Sequence, residues 1–173
     1  LKAKEGVPLL SQNRQFQYFN APTYIYPMVP AYTASLAQER GYEVVWMDGI
    51  AEKISYEQWV GKLKEEKPDL LMIETKAPVI RRHWKIIKSL KKSFPKIKIA
   101  LVGDHVTYMP EESMKACPVD YVLTGGDYDF LLCELSDHLT KGTDMPKGVW
   151  YRTKNDYETT GKALLKPNID QLP

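Results

Sequence analysis

Four short apolar runs punctuate the chain: Val44-Val45-Trp46-Met47, Leu70-Leu71-Met72-Ile73, Ile97 to Val102, and Tyr121-Val122-Leu123. They are rich in β-branched residues and do not alternate with polar ones, which is the pattern of strands buried on both faces. The segments between them have helical spacing. Met28, Tyr32, Leu36 and the closing Gly41 predict one helix, with Pro27 and Pro30 near its start. Ser55 and Gln58 form a capping box ahead of Trp59, Val60 and Leu63, and Pro68 ends that element. Ile80, Trp84, Ile87, Leu90 and Phe94 make the apolar stripe of a third helix, whose other face carries Arg81, Arg82, Lys85, Lys88, Lys91 and Lys92. Phe130, Leu131, Leu135 and Leu139 mark a last long helix.

Strand and helix alternating with a period of roughly two dozen residues imply parallel βαβ units. After Gly142 the pattern changes. Gly148-Val149-Trp150-Tyr151 and residues 157–162, separated by Lys154-Asn155-Asp156, predict a small hairpin. The expected fold is α/β, a flavodoxin-like (Rossmann-like) doubly wound parallel sheet with a C-terminal β-hairpin leading out of the domain. Residues 1–142 are assigned to the α/β domain and 143–173 to the hairpin and a linker. Leu1 to Ala21 holds no convincing buried strand, so the first strand is expected upstream of Leu1, and both ends have the look of cuts in a longer protein.

Composition narrows the classes. The chain has 173 residues, 43% hydrophobic and 27% charged. A chain of about 150 residues buries about 70% of its unfolded surface, so a packed domain is expected and a solvated coil is excluded. Its 24 basic residues are nearly cancelled by 22 acidic ones, which argues against a general nucleic-acid binder. Cys117 and Cys133 are the only cysteines. They give no disulfide framework or metal knuckle and suit a reducing, cytoplasmic setting. The N-terminus lacks the apolar core of a signal peptide. The uncharged stretch Gln15 to Gln38 fails as a membrane span because Pro22, Pro27 and Pro30 interrupt it.

Ligands of open parallel sheets bind beyond the carboxyl ends of the strands. Those ends read Asp48-Gly49, Glu74-Thr75-Lys76, Gly103-Asp104-His105 and Thr124-Gly125-Gly126-Asp127. Glycines there would let a large ligand approach the backbone, or they are ordinary turn residues. The tyrosine-rich loop from Gln15 to Tyr26, with Phe16, Tyr18, Phe19, Tyr24 and Tyr26, would supply an aromatic wall suited to a bulky planar cofactor, or a partner-domain interface. His105 beside Asp104 could orient an imidazole as base or ligand, or cap the helix starting near Pro110-Glu111-Glu112. His83 and His138 lie inside helices, where histidine is ordinarily structural. The basic helix face is a solvated surface or a site for RNA or an acidic partner.

Other chemistries are absent from the sequence. It has no GxxxxGK[ST] phosphate loop, no GxGxxG fingerprint and no GxSxG elbow. Three scattered histidines and two cysteines give no metal-ligand spacing, and Glu111-Glu112 favour a helix dipole without needing a catalytic role. The pattern is that of a binder, with no catalytic residue or metal ligand of its own.

The order of motifs resembles the N-terminal cobalamin-binding domain of radical S-adenosylmethionine (SAM) enzymes. Tyr26-Pro27-Met28-Val29-Pro30-Ala31-Tyr32 through Arg40-Gly41-Tyr42-Glu43-Val44 is similar to that family's first helix running into its second strand, and Lys67-Pro68-Asp69-Leu70 to its entry to the third. Leu101 to Thr107, with Pro110-Glu111-Glu112, resembles a GGPH-A-T…PEE signature. Val119-Asp120-Tyr121-Val122 and Gly125-Gly126-Asp127-Tyr128-Asp129-Phe130 resemble VDYVV-x-GEGE-x-F, and Asp170-Gln171-Leu172-Pro173 the closing DLDxLP phrase. Two departures stand out: Asp104 follows Gly103 where Gly-Pro is usual, and Gly126-Asp127-Tyr128 replaces Glu-Gly-Glu.

The resemblance implies a corrinoid across the carboxyl edge of the sheet, its nucleotide tail running past Thr75, Gly103, Gly125 and Gly126. With the strand-end and aromatic-loop residues, the expected cofactor-binding set is Thr75, Lys76, Gly103, Asp104, His105, Gly125, Gly126, Asp127, Tyr24 and Tyr26. The resemblance also implies a following radical SAM domain of the same chain, with a 4Fe-4S cluster and S-adenosylmethionine, in an enzyme of methyl transfer or ring formation. No nucleic-acid partner is expected, on the charge balance already given. The DxHxxG motif that supplies a lower cobalt ligand in the methionine-synthase type of domain is absent, so the lower face of cobalt is expected to be open or covered by an aromatic or apolar residue. Two other readings stand beside this one: a degenerate domain without corrinoid that docks the catalytic domain, and a stand-alone α/β enzyme.

Overall fold

The computed structural model describes residues 7–10 and 16–19 by their backbone, and residues 26–49, 51–126, 128–165 and 168–173. The chain divides into two units, one of residues 1–28 and 45–67, the other of residues 29–44 and 68–173.

In the first unit, β1 (Val7–Leu10) pairs antiparallel with β2 (Phe16–Phe19). The sequence reading expected a loop from Gln15 to Tyr26 and no buried strand within residues 1–21. Short β-prone tetrapeptides such as Phe16-Gln17-Tyr18-Phe19 form a ladder when a partner lies close along the chain. The same unit holds α2 (Tyr56–Glu66) with the expected capping box: Ser55 Oγ accepts from Gln58 N, and Gln58 Oε1 accepts from Ser55 N. Lys67 closes α2 in the left-handed conformation. The predicted strand at Val44–Met47 does not form: residues 42–48 carry no strand, and Val45 and Trp46 are exposed. A doubly buried strand needs ladder partners, and among the described residues none pairs with this segment.

The second unit is built on one five-stranded sheet of order β3-β4-β5-β6-β7: β3 (Leu70–Glu74), β4 (Lys98–Val102), β5 (Tyr121–Leu123), β6 (Val149–Arg152) and β7 (Tyr157–Thr159). β3, β4 and β5 are parallel, and β6 and β7 continue the sheet antiparallel. The predicted hairpin is therefore present and hydrogen-bonded to β5. Position in the sheet sets burial. Ile99 to Val102 of central β4 are fully buried, whereas every residue of edge strand β3 is partly exposed.

Helices α1 (Met28–Glu39), α3 (Ile80–Ser93), α4 (Asp104–Tyr108), α5 (Pro110–Ala116) and α6 (Tyr128–Lys141) complete the architecture. One core cluster joins Ala100, Val102, Leu123, Leu131, Leu135 and Val149 between sheet and α6. A second seats Leu36 of α1 on Phe130 and Cys133 of α6. Beyond it, Asp137 accepts from Tyr42 at 2.6 Å and pairs with Arg40 at 3.1 Å, fastening the end of α1 to α6. The Val-Asp-Tyr motif also has a structural role. The Asp120 carboxylate accepts from Ile99 N and Lys91 Nζ, each at 2.9 Å, so it locks the start of β5 to β4 and α3. Among the described residues no helix is long and apolar enough to cross a membrane.

Candidate functional site at the strand ends

Parallel pairing brings the carboxyl ends of β3, β4 and β5 to one edge, and the polar residues that follow each strand meet there. β3 ends on Glu74, and Thr75 N still donates to Val102 O at 2.8 Å. Lys76 Nζ lies 3.3 Å from Glu74 Oε1 and 3.8 Å from Asp104 Oδ2, at the start of α4. The Tyr128 hydroxyl, from the first turn of α6, donates to Glu74 Oε1 at 3.2 Å. Three elements thus deliver two carboxylates, an ammonium and a phenol to one place. Burial, followed by the Glu74 charge, pushes the Tyr128 phenol far above the usual tyrosine range, so it remains a donor.

Behind this cluster Thr75 is fully buried, and its hydroxyl meets Nδ1 of His83 at 2.9 Å. Burial, with Arg82 next along α3, lowers His83 to about 4, leaving it uncharged at neutral pH. His105 lies within α4, not in a loop. Its Nε2 meets Glu112 Oε2 at 2.8 Å, and its ring stands edge-on to Trp84 at 6.4 Å between centroids. The α5 cap is Met109, without a side-chain hydrogen bond, so His105 links α4 to α5 through Glu112 and does not cap α5.

The glycines divide. At Gly103, with φ of +115°, a Cβ would collide with the Thr75 carbonyl oxygen, so this residue exists to let β4 turn into α4 against β3. Gly125 is closed from outside by the chain itself, since a Cβ there would lie 2.7 Å from the Ala163 Cβ. The same Ala163 seats against Gly148, in the turn before β6. A Cβ on Gly126 meets nothing within 4 Å. Of these strand-end glycines only Gly126 leaves its backbone open to an approaching group.

The structure therefore brings together Thr75, Lys76, Gly103, Asp104, His105 and Gly125. Thr107 Oγ1 donates to the carbonyls of both Gly103 (3.0 Å) and Gly125 (3.3 Å), tying the second and third strand ends. Tyr26 belongs to the other unit, where its exposed ring packs on Trp46 at 6.4 Å. Tyr24 and Asp127 lie outside the described residues. Sequence reasoning missed Tyr128 and Thr107 as members of the site. Both sat inside motifs read from the sequence, but their partners lie far along the chain: Tyr128 is brought to Glu74 by the packing of α6, across 54 residues. No group of His, Cys, Asp and Glu among the described residues could hold a metal ion.

The B12 binding domain family matches residues 19–130. The chain belongs to that family. This B12-binding domain is 28% identical over 153 residues to an uncharacterized methyltransferase of Pyrococcus horikoshii, covering 85% of this chain and 32% of the relative. It is 22% identical over 152 residues to the anaerobic magnesium-protoporphyrin IX monomethyl ester cyclase of Cereibacter sphaeroides, covering 84% and 25%. The chain thus spans a third or less of the curated relatives it matches.

Among solved structures, the fold is shared with the radical SAM methyltransferase TsrM from Kitasatospora setae. The form with tryptophan substrate and a SAM analogue superposes at a TM-score of 0.67, 18% identical, over 80% of this chain and 28% of that one. The form with cobalamin and a [4Fe-4S] cluster gives 0.64, 18% identical, over 87% and 28%. The Rossmann-like architecture expected from the sequence is the one observed, with the antiparallel hairpin incorporated as β6 and β7.

Proposed function

We propose that this B12-binding domain holds a corrinoid at the carboxyl edge of its sheet and is the cobalamin-carrying part of a larger radical SAM enzyme. The hairpin and linker of residues 143–173 would lead toward a domain carrying the [4Fe-4S] cluster and S-adenosylmethionine. The observation that carries the reading is the convergence of Glu74, Lys76, Asp104 and Tyr128 at the strand ends, with the open backbone of Gly126 two residues before Tyr128, within a chain of this family. The rim of a corrin ring bears carboxamide arms. Glu74 and Asp104 can accept from amide N–H groups and Lys76 can donate to amide carbonyls, so the residues present fit the group. Cobalamin, when bound, supplies a cobalt centre able to carry a methyl group.

The chain's own contribution is to bind, orient and cover. His83, His105 and His138 are each held at one ring nitrogen, by Thr75, Glu112 and the Thr143 carbonyl. The expectation that no histidine ligates cobalt rests on the absence of a DxHxxG motif from the sequence. Cys117 and Cys133 are free and buried, and burial pushes both thiols up to about 11, in keeping with a reducing, cytoplasmic setting. The test is to load the full-length protein with hydroxocobalamin, desalt it and record the absorbance spectrum. Stoichiometric retention with bands free of histidine ligation is the expected result. A folded protein that retains no corrinoid would replace this reading with that of a docking scaffold.

A further inference from the structure

Helix α3 carries a feature that corrinoid binding leaves unused. Residues 80–98 contain eight of the 24 basic residues and no acidic one, so the rest of the chain, with 16 basic against 22 acidic, is net acidic. Ile80, Ile87 and Leu90 bury one side of α3. Arg81, Lys85, Lys88 and Lys92 fall within about 60° of one another on the opposite side, in a row about 16 Å long, with Arg82 beside it. All five are exposed, and no ion pair joins any of them to a carboxylate among the described residues. Lys91, off the row, is the one bound inward, to Asp120.

The row works against its own helix. Arg81 and Arg82 occupy the first turn, where the dipole favours negative charge; that turn has no acidic residue, and Val79 provides no side-chain cap. Arg81 and Lys85, Lys85 and Lys88, and Lys88 and Lys92 repel at helical spacings of four, three and four. Within the row only Lys92, in the last turn, is favoured by the dipole; Arg81, Lys85 and Lys88 gain nothing from their own helix, so an opposing charge from outside the chain is the missing component.

We propose that this face of α3 docks an acidic helix of a partner polypeptide. A helix with carboxylates at the same four- and three-residue spacing can pair with Arg81, Lys85, Lys88 and Lys92 in register. The otherwise acidic remainder of the chain disfavours a nucleic acid or an anionic membrane, which would meet repulsion outside the stripe. The row itself, Arg81, Lys85, Lys88 and Lys92, carries no aromatic side chain for base stacking, and Trp84 on the same helix is partly buried, its Nε1 donating to Ser113 at 2.9 Å.

The probe is a fluorescent alanine-based 20-residue peptide bearing Glu at alternating spacings of four and three, titrated by anisotropy against the full-length protein at low salt. Arg81→Gln/Lys85→Gln/Lys88→Gln/Lys92→Gln should weaken binding by about tenfold or more and flatten the salt dependence. The variant should also melt no lower than the parent, because a self-repelling row has been removed. Unchanged peptide affinity in the variant overturns the proposal. So does tighter binding, at equal salt, of a 20-nucleotide single-stranded RNA or of phosphatidylserine vesicles. Corrinoid retention is read separately and is expected to be the same in parent and variant.

Discussion

Gly103 and Thr75 touch so closely that a Cβ on the glycine would collide with the threonine's carbonyl oxygen, while also lying 3.3 Å from its nitrogen and carbonyl carbon. The contact joins the ends of β3 and β4 where the polar cluster forms. With φ at +115°, an alanine would add backbone strain to the clash. Gly103→Ala should therefore cost roughly 3 kcal/mol of stability. Urea unfolding checks this, and a midpoint equal to the parent's would show that β3 and β4 do not approach this closely.

Gly126 is the contrasting position. A side chain there meets open space and the residue has no positive φ, so Gly126→Leu should fold with a melting temperature close to the parent's. Its leucine would fill the space beside the polar cluster. Loss of hydroxocobalamin retention with unchanged stability is the expected outcome. Retention at parental stoichiometry would place the corrinoid elsewhere.

These two glycines show what could be read from the sequence. Gly-Asp after one apolar run and Gly-Gly after another marked two strand ends correctly, and the capping box at Ser55 and the parallel βαβ pairing were legible as well. Those signals are local: a period, a cap, a turn residue. Whether a glycine faces a ligand or a neighbouring backbone depends on a residue far along the chain, as with Ala163 closing Gly125 and Gly148. Val44–Met47 has the composition of a strand, yet a strand exists only with a partner, and composition does not supply one. Tyr128 likewise joins the site through the packing of α6.

His83 gives the site a pH dependence. Its pKa falls from the ordinary 6.5 to about 4, chiefly by burial and secondarily through Arg82. The unfolded chain binds the proton more readily, so this contribution is fully present above about 6.5 and is lost as pH falls toward 4. Its full size is up to about 3 kcal/mol. His83→Asn should retain the hydrogen-bonding capacity toward Thr75 and flatten the stability profile between pH 6.5 and 4. Parallel profiles for parent and variant would show that His83 is not held neutral.

Arg152 makes the C-terminal hairpin part of the fold. Its Nε donates to the Val119 carbonyl at 3.1 Å, and its Nη2 donates to the carbonyls of Met114 and Cys117. Its backbone N–H donates to Asp120 O at 2.9 Å. One guanidinium thus satisfies the end of α5 and the entry to β5, the segment that aligns the third strand end with the other two. Arg152→Ala leaves those carbonyls without their donor and should cost roughly 2 kcal/mol, with faster amide exchange across residues 117–123. Arg152→Lys should recover only part of the loss, because an ammonium lacks the planar fork that reaches three carbonyls at once. Equal stability of the alanine variant and the parent would mean that the hairpin pairs with β5 without bracing it.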